Sequence, residues 1–250
     1  RRVVSMPARF AQEQDIEWDK HANAHHLAMM ALFGSWNEDS ERDKAVISQQ
    51  LCVGYDKCLE IAREFLTVPN APLSLKNGIW RVNNRSELLL ALAPKLLDQD
   101  FDRFKEIALT VLKEQDPAFD LDPDERFGAA IYGKKLNYSE QLRNGIAEGL
   151  AIIASNADAY THASQQKAEF TSLLVVRELL ENANWVTWGS LNDVLPALAE
   201  AAPRELLESI EKALEQEQNP FAELYAQERA GITGRNYMTG LLWALECLAW

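Results

Sequence analysis

An all-α fold is the class that this sequence of 250 residues predicts, on three observations. Apolar residues recur every three or four positions over most of the chain, which is the periodicity of amphipathic helices. Capping residues such as Ser139 precede several of these stripes, and Pro or Gly residues end them. Strand patterns are nearly absent, since residues 185–188 (Trp-Val-Thr-Trp) form the only short β-like run.

One arrangement of residues occurs twice along the chain. The first copy begins at Trp80 and the second at Trp188, and each continues through a polar stretch into an Ala-Leu-Ala helix at residues 91–93 or 197–199. A second amphipathic helix follows in each copy, which stops at Asp-Pro or Asn-Pro. Recurring hairpins of this kind are too thin to bury their apolar faces alone, so they stack. The recurrence predicts stacked antiparallel helical hairpins in a short HEAT- or armadillo-like α-solenoid.

Taken in order, the elements begin with one long helix that starts near Ser40. Its apolar face is formed by Ile47, Leu51, Tyr55, Cys58, Ala62 and Phe65. Residues 68–84 contain two prolines and Gly78, and they predict the longest loop of the chain. The partner helix of the first copy follows, with an apolar face formed by Phe101, Phe104, Ala108, Val111 and Leu112.

The second half of the chain continues the helical pattern. Ser139 opens a helix that runs through Ile153, and a further helix covers about residues 164–180. Pro203 is well placed as the first residue of the second partner helix. Gly145 and Gly149, four residues apart inside a good helix, predict a close approach of another helix, because each costs about 1 kcal/mol against Ala. We expect about ten to twelve helices, given a mean helix of about 11 residues.

Composition and charge exclude several classes of function. The chain is 47% hydrophobic with a net charge of -13, which fits a folded acidic protein and argues against a nucleic acid as partner. Three scattered cysteines and no signal-peptide pattern predict a reducing, cytoplasmic location. Every apolar run is shorter than the ~20 residues needed to span a membrane.

Two segments match metal- or phosphate-binding patterns only in part. Residues 128–134 match the start of a phosphate-binding loop, but Lys135 replaces the Ser or Thr that binds Mg²⁺ and no strand precedes them. The alternative is a helix closed by Gly133. Residues 120–124 contain Asp at alternate positions like a calcium loop, but Pro123 interrupts them and Glu125 takes the place of the glycine. The alternative for these acids is a helix N-terminus, which favours negative charge.

A metal site is the third possibility. Glu17, His21 and His25 are spaced by four residues and would share one face of a helix, where two imidazoles and a carboxylate can bind zinc. The H-E-x-x-H catalytic pattern is missing, because Ala22 occupies the position of the Glu. Surface or capping histidines are the alternative. No other catalytic pattern is present, so we expect no enzyme activity and no cofactor.

A modest basic patch remains on this acidic chain. Lys76, Arg81, Arg85 and Arg143 predict a site for an anion or an acidic peptide, with solvated or paired side chains as the alternative. Trp is enriched at binding hot spots. We therefore predict a partner-binding set of Trp80, Arg81, Arg85 and Arg143.

Three stretches resemble a known kind of protein: the run from Trp80 to Phe104, the D-P-x-F-D-L-x-P-x-E-R stretch of residues 116–126, and the Y-S-E-Q-L-R-N-G-I-A segment of residues 138–147. They are similar to a helical region of very large bacterial proteins that carry a P-loop NTPase module elsewhere. Some STAND-like NTPases of this build act in defence against phage, with helical repeats as the sensor. The similarity covers residues 76–155 and the tail 241–250, and it implies no catalytic residue here.

These observations predict a non-enzymatic scaffold or sensor for protein recognition, formed by one helical repeat domain over residues 1–250. The chain starts with Arg1 and stops at Trp250 inside an apolar stripe, so we expect a piece of a larger, NTPase-linked bacterial protein. Its partner would be another protein or other domains of its own chain. The alternatives are a metalloprotein or enzyme that uses Glu17, His21 and His25, and a self-assembly domain in which residues 240–250 pack against another copy.

Overall fold

A computed structural model describes residues 18–227 and 236–249. This part of the chain is predominantly helical and contains twelve α-helices and one small sheet of three strands. The helices are α1 Ala24–Phe33, α2 Glu41–Leu51, α3 Tyr55–Glu64, α4 Arg85–Leu92, α5 Asp98–Leu112, α6 Glu140–Ser155, α7 Lys167–Leu180, α8 Trp185–Ser190, α9 Leu195–Ala201, α10 Pro203–Leu214, α11 Pro220–Ala226 and α12 Thr239–Leu248. The strands are β1 Ser35–Asn37, β2 Leu73–Lys76 and β3 Ile79–Val82.

Several predicted helices are confirmed at their ends. Ser139 caps α6, because its hydroxyl accepts a hydrogen bond from the backbone N–H of Leu142 at 3.1 Å. Pro203 is the first residue of α10, and α5 buries the whole predicted apolar face from Phe101 to Leu112. The local signals of caps and periodicity therefore determined these elements.

The predicted long helix from residue 40 is instead two helices, α2 and α3. Cys52 ends α2 in the left-handed conformation, with φ of 56°, and its N–H donates to the carbonyls of Ser48 and Gln49. Gly54 then caps α3. The prediction failed because the apolar face continues in register across the break, from Leu51 to Cys58, so periodicity alone could not detect it.

Residues 68–84 are not a loop, because they contain the antiparallel hairpin of β2 and β3. Its turn is Asn77-Gly78, and both residues have positive φ, 53° and 75°. Asn-Gly between two apolar runs is the strongest short-range hairpin signal, and the prediction overlooked it. The third strand, β1, pairs with β3 so that Trp36 lies opposite Trp80. The two indoles stack with ring centroids 5.6 Å apart.

The two copies of the sequence recurrence adopt different structures. Trp80 lies in β3, whereas Trp188 lies in α8. The β-like run at residues 185–188 is therefore the start of a helix, which Asn184 caps by accepting from the N–H of Thr187 at 3.0 Å. In the first copy α4 packs mainly on α1 and α5 packs mainly on α7, rather than chiefly on each other. The helical class is confirmed, but these contacts do not confirm a stack of hairpins.

Helix α6 lies at the centre of the described fold. It packs against α1, α5, α7, α9 and the strand β1. The close approach predicted at Gly145 and Gly149 is confirmed, because a Cβ atom would lie 1.9 Å from the carbonyl oxygen of Phe33 or 2.2 Å from that of Leu32. Most of α6 is buried, and its surface is mainly a strip formed by Glu140, Asn144 and Glu148. We call these three residues the α6 strip.

Candidate recognition surfaces

The four residues of the predicted partner-binding set have very different environments. Trp80 is fully buried against Trp36, and its indole N–H donates to Glu38 Oε2 at 2.9 Å. Its ring therefore belongs to the core of this fold and offers no surface for a partner. Arg81 is exposed on β3, beside the depression that borders the α6 strip.

Arg85 is held almost entirely by backbone carbonyls. Its Nε donates to Ala31 at 2.8 Å, and its Nη2 donates to Leu32 and Gly145 at 2.7 Å each. Nη1 lies 3.2 Å from Glu148 Oε2. Burial lowers the pKa of Arg85 to about 10, although Glu148 opposes this shift. Since Ala31 and Leu32 are in the last turn of α1, the guanidinium satisfies carbonyls that the end of that helix leaves without partners.

Arg143 has the same role at two other helix ends. It is buried, and its Nη1 donates to the carbonyl of Val111 in the last turn of α5 at 2.6 Å. Its Nη2 donates to the carbonyl of Ser190, the last residue of α8, at 3.0 Å. Burial lowers the pKa of this guanidinium. Two of the four residues of the predicted basic patch are thus internal, and the surface role stays a prediction for the exposed Lys76 and Arg81 alone.

Two depressions lie on either side of the α6 strip, and Glu140 and Asn144 line both of them. The first has a volume of about 400 Å³ and lies between α6 and the sheet; its other lining residues include Ser35, Arg81, Arg85, Gln141 and Glu148. The second has a volume of about 290 Å³ and lies towards α8; its other lining residues include Asp116, Leu136, Arg143, Ser190 and Asp193. Together with the strip they form a broad polar surface.

The side chains on this surface are incompletely paired. Those of Glu140, Gln141 and Asn144 make no hydrogen bond to any part of the chain that the structure describes. At the far end the carboxylate of Asp116 accepts from the N–H of Ala118 at 2.9 Å. The nearby Arg85 and Arg143 donate mainly to backbone carbonyls of the interior, but Nη1 of Arg85 also pairs with Glu148 Oε2 at 3.2 Å, so the charge of this surface is partly balanced.

A second surface is apolar and lies in the segment of residues 126–135, which we call the 126–135 loop. Phe127, Ile131 and Tyr132 are 73%, 86% and 59% exposed. Tyr132 Cε2 and Ile131 Cδ1 lie 3.6 and 3.9 Å from the position that a Cβ of Gly128 would occupy. At least two of the three side chains thus lie together over one glycine. Single exposed apolar residues are ordinary, but three within six positions of one loop form a local apolar surface.

The 126–135 loop is held in place from both ends. Successive turns link its backbone, with the N–H of Lys134 donating to Ala129 at 2.9 Å. The Lys134 ammonium lies 2.7 Å from Asp120 Oδ2. Gly133 has φ of 71°, a conformation that favours glycine. The loop is a series of turns without a strand directly before it, so it is neither a phosphate-binding loop nor an α-helix. Asp120 forms an ion pair with Lys134 and does not belong to a calcium-binding loop.

Arg126 anchors the first end of this loop in a cluster of aromatic rings. Its guanidinium carbon lies 5.1 Å from the ring centroid of Phe119, 5.8 Å from that of Trp185 and 5.9 Å from that of Tyr237. Its Nη2 donates to Gln227 Oε1 at 2.9 Å. No pattern in the sequence indicates this cluster, because most of its members are distant in sequence and only the folded chain brings them together.

The predicted histidine face does not form as expected. Helix α1 begins at Ala24, so His21 precedes the helix, and its Nδ1 accepts from the N–H of Asn23 at 3.0 Å. His25 instead lies 2.8 Å from Asp100 through its Nε2. Glu17 lies outside the described residues. Within the described residues no three His, Cys, Asp or Glu side chains are grouped so that they could hold a metal ion.

Asp100 is a fully buried carboxylate with several donors around it. Burial alone would raise its pKa, but the hydrogen bonds from His25 and from the backbone N–H of Leu97, with Arg103 nearby, outweigh this and lower the pKa below its usual value. Arg103 also donates to the carbonyl of Gln50 at 2.6 Å. The cluster joins α1, α2 and α5, which is a structural role.

Helix α12 presents a third surface. Its inner side, with Leu241 and Ala244, is buried, and the helix packs on α9. Gly240 permits a close approach, because a Cβ there would lie 1.7 Å from the carbonyl oxygen of Asn192. Its outer side exposes Leu242 and Trp243 strongly and Leu245 in part. This exposed side forms an apolar face among the described residues.

Comparisons with known proteins add no identity to these surfaces. No protein-family model, curated protein or solved structure matches the chain. Within the part of the chain that the structure describes, none of the helices is long and apolar enough to cross a membrane.

Proposed function

We propose that this chain is a non-enzymatic module for protein recognition, and that the 126–135 loop is its main contact surface. The observation that carries the proposal is the exposure of Phe127, Ile131 and Tyr132 on a loop that Arg126 and Lys134 fix in place. Apolar side chains held outward at a cost in solvation are a typical feature of interaction sites.

The energetics of such a loop favour binding. Fully burying one large apolar side chain stabilises a complex by roughly 1.5–3 kcal/mol. Three of them would supply roughly 5–9 kcal/mol before the costs of association. Because the backbone turns already fix the loop, little further ordering is needed when a partner covers it. A few well-placed aromatic and aliphatic side chains commonly provide most of the energy of an interface.

The wider setting belongs to the same proposal and is supported by the sequence resemblance alone. In that setting the chain is a scaffold or sensor segment of a larger, NTPase-linked protein of the bacterial cytoplasm that acts against phage. A HEAT-like repeat architecture would belong to that larger protein. In this proposal the partner binds to the 126–135 loop, so recognition does not require the concave face of a solenoid.

The test compares the proteins that bind to matched baits. The purified chain, a loop variant (Phe127→Ser, Ile131→Ser and Tyr132→Ser) and a control variant are immobilised and exposed to bacterial lysate, with and without phage infection. The control carries Leu207→Ser, Leu214→Ser and Tyr225→Ser, which removes three exposed apolar side chains from α10 and α11. Bound proteins are identified by mass spectrometry.

A partner retained by the wild type and the control but lost by the loop variant would support the proposal. Identical sets of proteins on all three baits would overturn it. Circular dichroism would establish that the three chains are equally folded, which we expect because all six side chains are exposed.

A second candidate function is self-association through α12, and the exposed Leu242, Trp243 and Leu245 favour it. A helix with an apolar outer side can pair with the same helix of another copy. We expect a concentration-dependent increase in mass by light scattering, which Leu242→Ser with Trp243→Ser abolishes. A monomer at high concentration would remove this candidate.

A further inference from the structure

We infer that a cavity between α7, α8 and α10 binds a small neutral molecule through a carbonyl oxygen, which accepts a hydrogen bond from the indole N–H of Trp188. This goes beyond the proposed function, because it assigns a small-molecule site to which the 126–135 loop contributes no residue. We call this site the Trp188 cavity. Its volume of about 330 Å³ lies at the lower end of the range of about 300–1,000 Å³ for ligand pockets.

The indole N–H of Trp188 is a buried donor without an acceptor in the part of the chain that the structure describes. The side chain is only 1% exposed, and it packs against Phe221 with ring centroids 4.9 Å apart. The two other fully buried indoles described here, those of Trp36 and Trp80, donate to side chains at 3.3 and 2.9 Å. Buried tryptophan N–H groups usually have a partner, so the wall of this cavity calls for an acceptor that the described residues do not supply.

The same wall also offers apolar surface to a ligand. Leu180 and Ala183, at and just after the end of α7, line the cavity, and so does Ala213 near the end of α10. All three side chains are buried. An apolar cavity of about 150 Å³ already holds benzene, so the Trp188 cavity has room for a ring that carries a polar substituent. One hydrogen-bond donor in an apolar wall is the usual way in which such a pocket orients its ligand.

The charges around the Trp188 cavity are balanced and favour a neutral ligand. Two cations, Arg177 and Lys212, and two anions, Glu178 and Glu181, line it. Arg177 and Glu178 are each paired with an opposite charge outside the lining, at 3.0 and 3.9 Å. The last turns of α7 and α10 both border the cavity, and the C-terminal end of a helix carries partial negative charge. A carbonyl oxygen without a formal charge therefore suits the donor better than a carboxylate does.

The experiment observes the indole N–H directly and uses three probes of similar shape. The full chain is isotopically labelled at the indole nitrogen of tryptophan, and the NMR signal of Trp188 is assigned with the Trp188→Phe variant. Benzamide, a neutral acceptor, is titrated in parallel with benzoate, a charged acceptor, and toluene, which has no acceptor. We expect benzamide to shift the Trp188 signal and to bind about tenfold more tightly than toluene, since it alone pairs the buried donor without adding charge. Benzoate should bind more weakly than benzamide.

Two variants place the ligand in the cavity and on the N–H. Ala183→Leu fills part of the cavity and should abolish binding of benzamide, whereas Ala222→Leu adds the same atoms at an exposed position of α11 and should leave it unchanged. Trp188→Phe keeps an aromatic ring but removes the donor, so the preference for benzamide over toluene should disappear in calorimetric titrations. Circular dichroism checks that each variant is folded.

The outcomes that would overturn the inference are distinct. A Trp188 signal that responds to none of the three probes would mean that the cavity holds water only. Equal affinities of benzamide and toluene for the wild type would remove the role of the N–H, and tighter binding of benzoate would contradict the neutral ligand. Benzamide binding that survives Ala183→Leu would place the probe elsewhere on the protein.

Discussion

Replacement of Gly145 by alanine should destabilise the protein, although alanine is the better helix former. The added Cβ would lie 1.9 Å from the carbonyl oxygen of Phe33 and 3.2 Å from the backbone nitrogen of Ser35. Both contacts are with backbone, so no side chain can rotate away to relieve them. Helix α1 or α6 must therefore shift, together with the carbonyls of Ala31 and Leu32 that Arg85 binds.

Two opposing terms give the magnitude. Alanine gains about 1 kcal/mol over glycine inside a helix. Overpacking typically costs about 1–3 kcal/mol, and a clash with a backbone carbonyl places Gly145 at the upper end. The net loss in the free energy of unfolding is therefore about 2 kcal/mol. For a chain of this size it corresponds to a decrease in Tm of about 4–8 °C.

Urea denaturation followed by circular dichroism measures this loss, and calorimetry gives the Tm. Gly128→Ala is the matched control, because its Cβ would meet only Tyr132 and Ile131 at the ordinary distances of 3.6 and 3.9 Å. It should change the free energy of unfolding by less than about 0.5 kcal/mol. A Gly145→Ala protein as stable as the wild type would show that α1 and α6 do not approach as closely as described.

Two further predictions concern buried charges. Arg85→Lys keeps the charge, but a lysine cannot donate to three carbonyls at once. It should therefore lower the free energy of unfolding, measured by urea denaturation, by about 2–4 kcal/mol. Arg81→Lys, at an exposed position, is the control and should have almost no effect. Asp100→Asn should destabilise the protein at pH 7. Because the pKa of Asp100 is lowered by folding, its contribution is complete above the unfolded pKa of about 3.9 and is lost as the pH falls through the folded value. The gap in urea midpoint between this variant and the wild type should therefore narrow below about pH 4, and a gap independent of pH would contradict this reasoning.

Local signals in the sequence predicted much of the helical framework. Ser139 and Pro203 each fixed the start of a helix, because capping and the fixed φ of proline act within one turn. Gly145 and Gly149 predicted a close helix contact, since their cost inside a helix needs a compensating gain in packing. The features that the sequence predicted correctly are therefore those that depend on a few neighbouring residues.

The small sheet was missed for two different reasons. Asn77-Gly78 is a typical hairpin turn, but the prolines nearby favoured the prediction of a loop. β1, in contrast, has only three residues and is defined by its pairing with β3 more than forty positions later. Trp36 and Trp80 stack only because that pairing exists. A strand so short carries no periodicity of its own.

The candidate site shows why counting charges along a sequence misplaces a surface. Arg81, Arg85 and Arg143 look alike in the sequence, but only Arg81 presents its charge to solvent. The other two each bind carbonyls at the ends of helices that lie 32 to 54 positions away. Both guanidiniums are directed into the protein, and Nη1 of Arg85 also lies 3.2 Å from Glu148 Oε2, so the predicted basic surface is reduced to Lys76 and Arg81. Gly149, which admits α1 against α6, also makes room for Arg85, since a Cβ there would lie 2.6 Å from its Nη2. The position of the Arg85 guanidinium is thus a consequence of how closely α1 and α6 pack, and a substitution at Gly149 should disturb both.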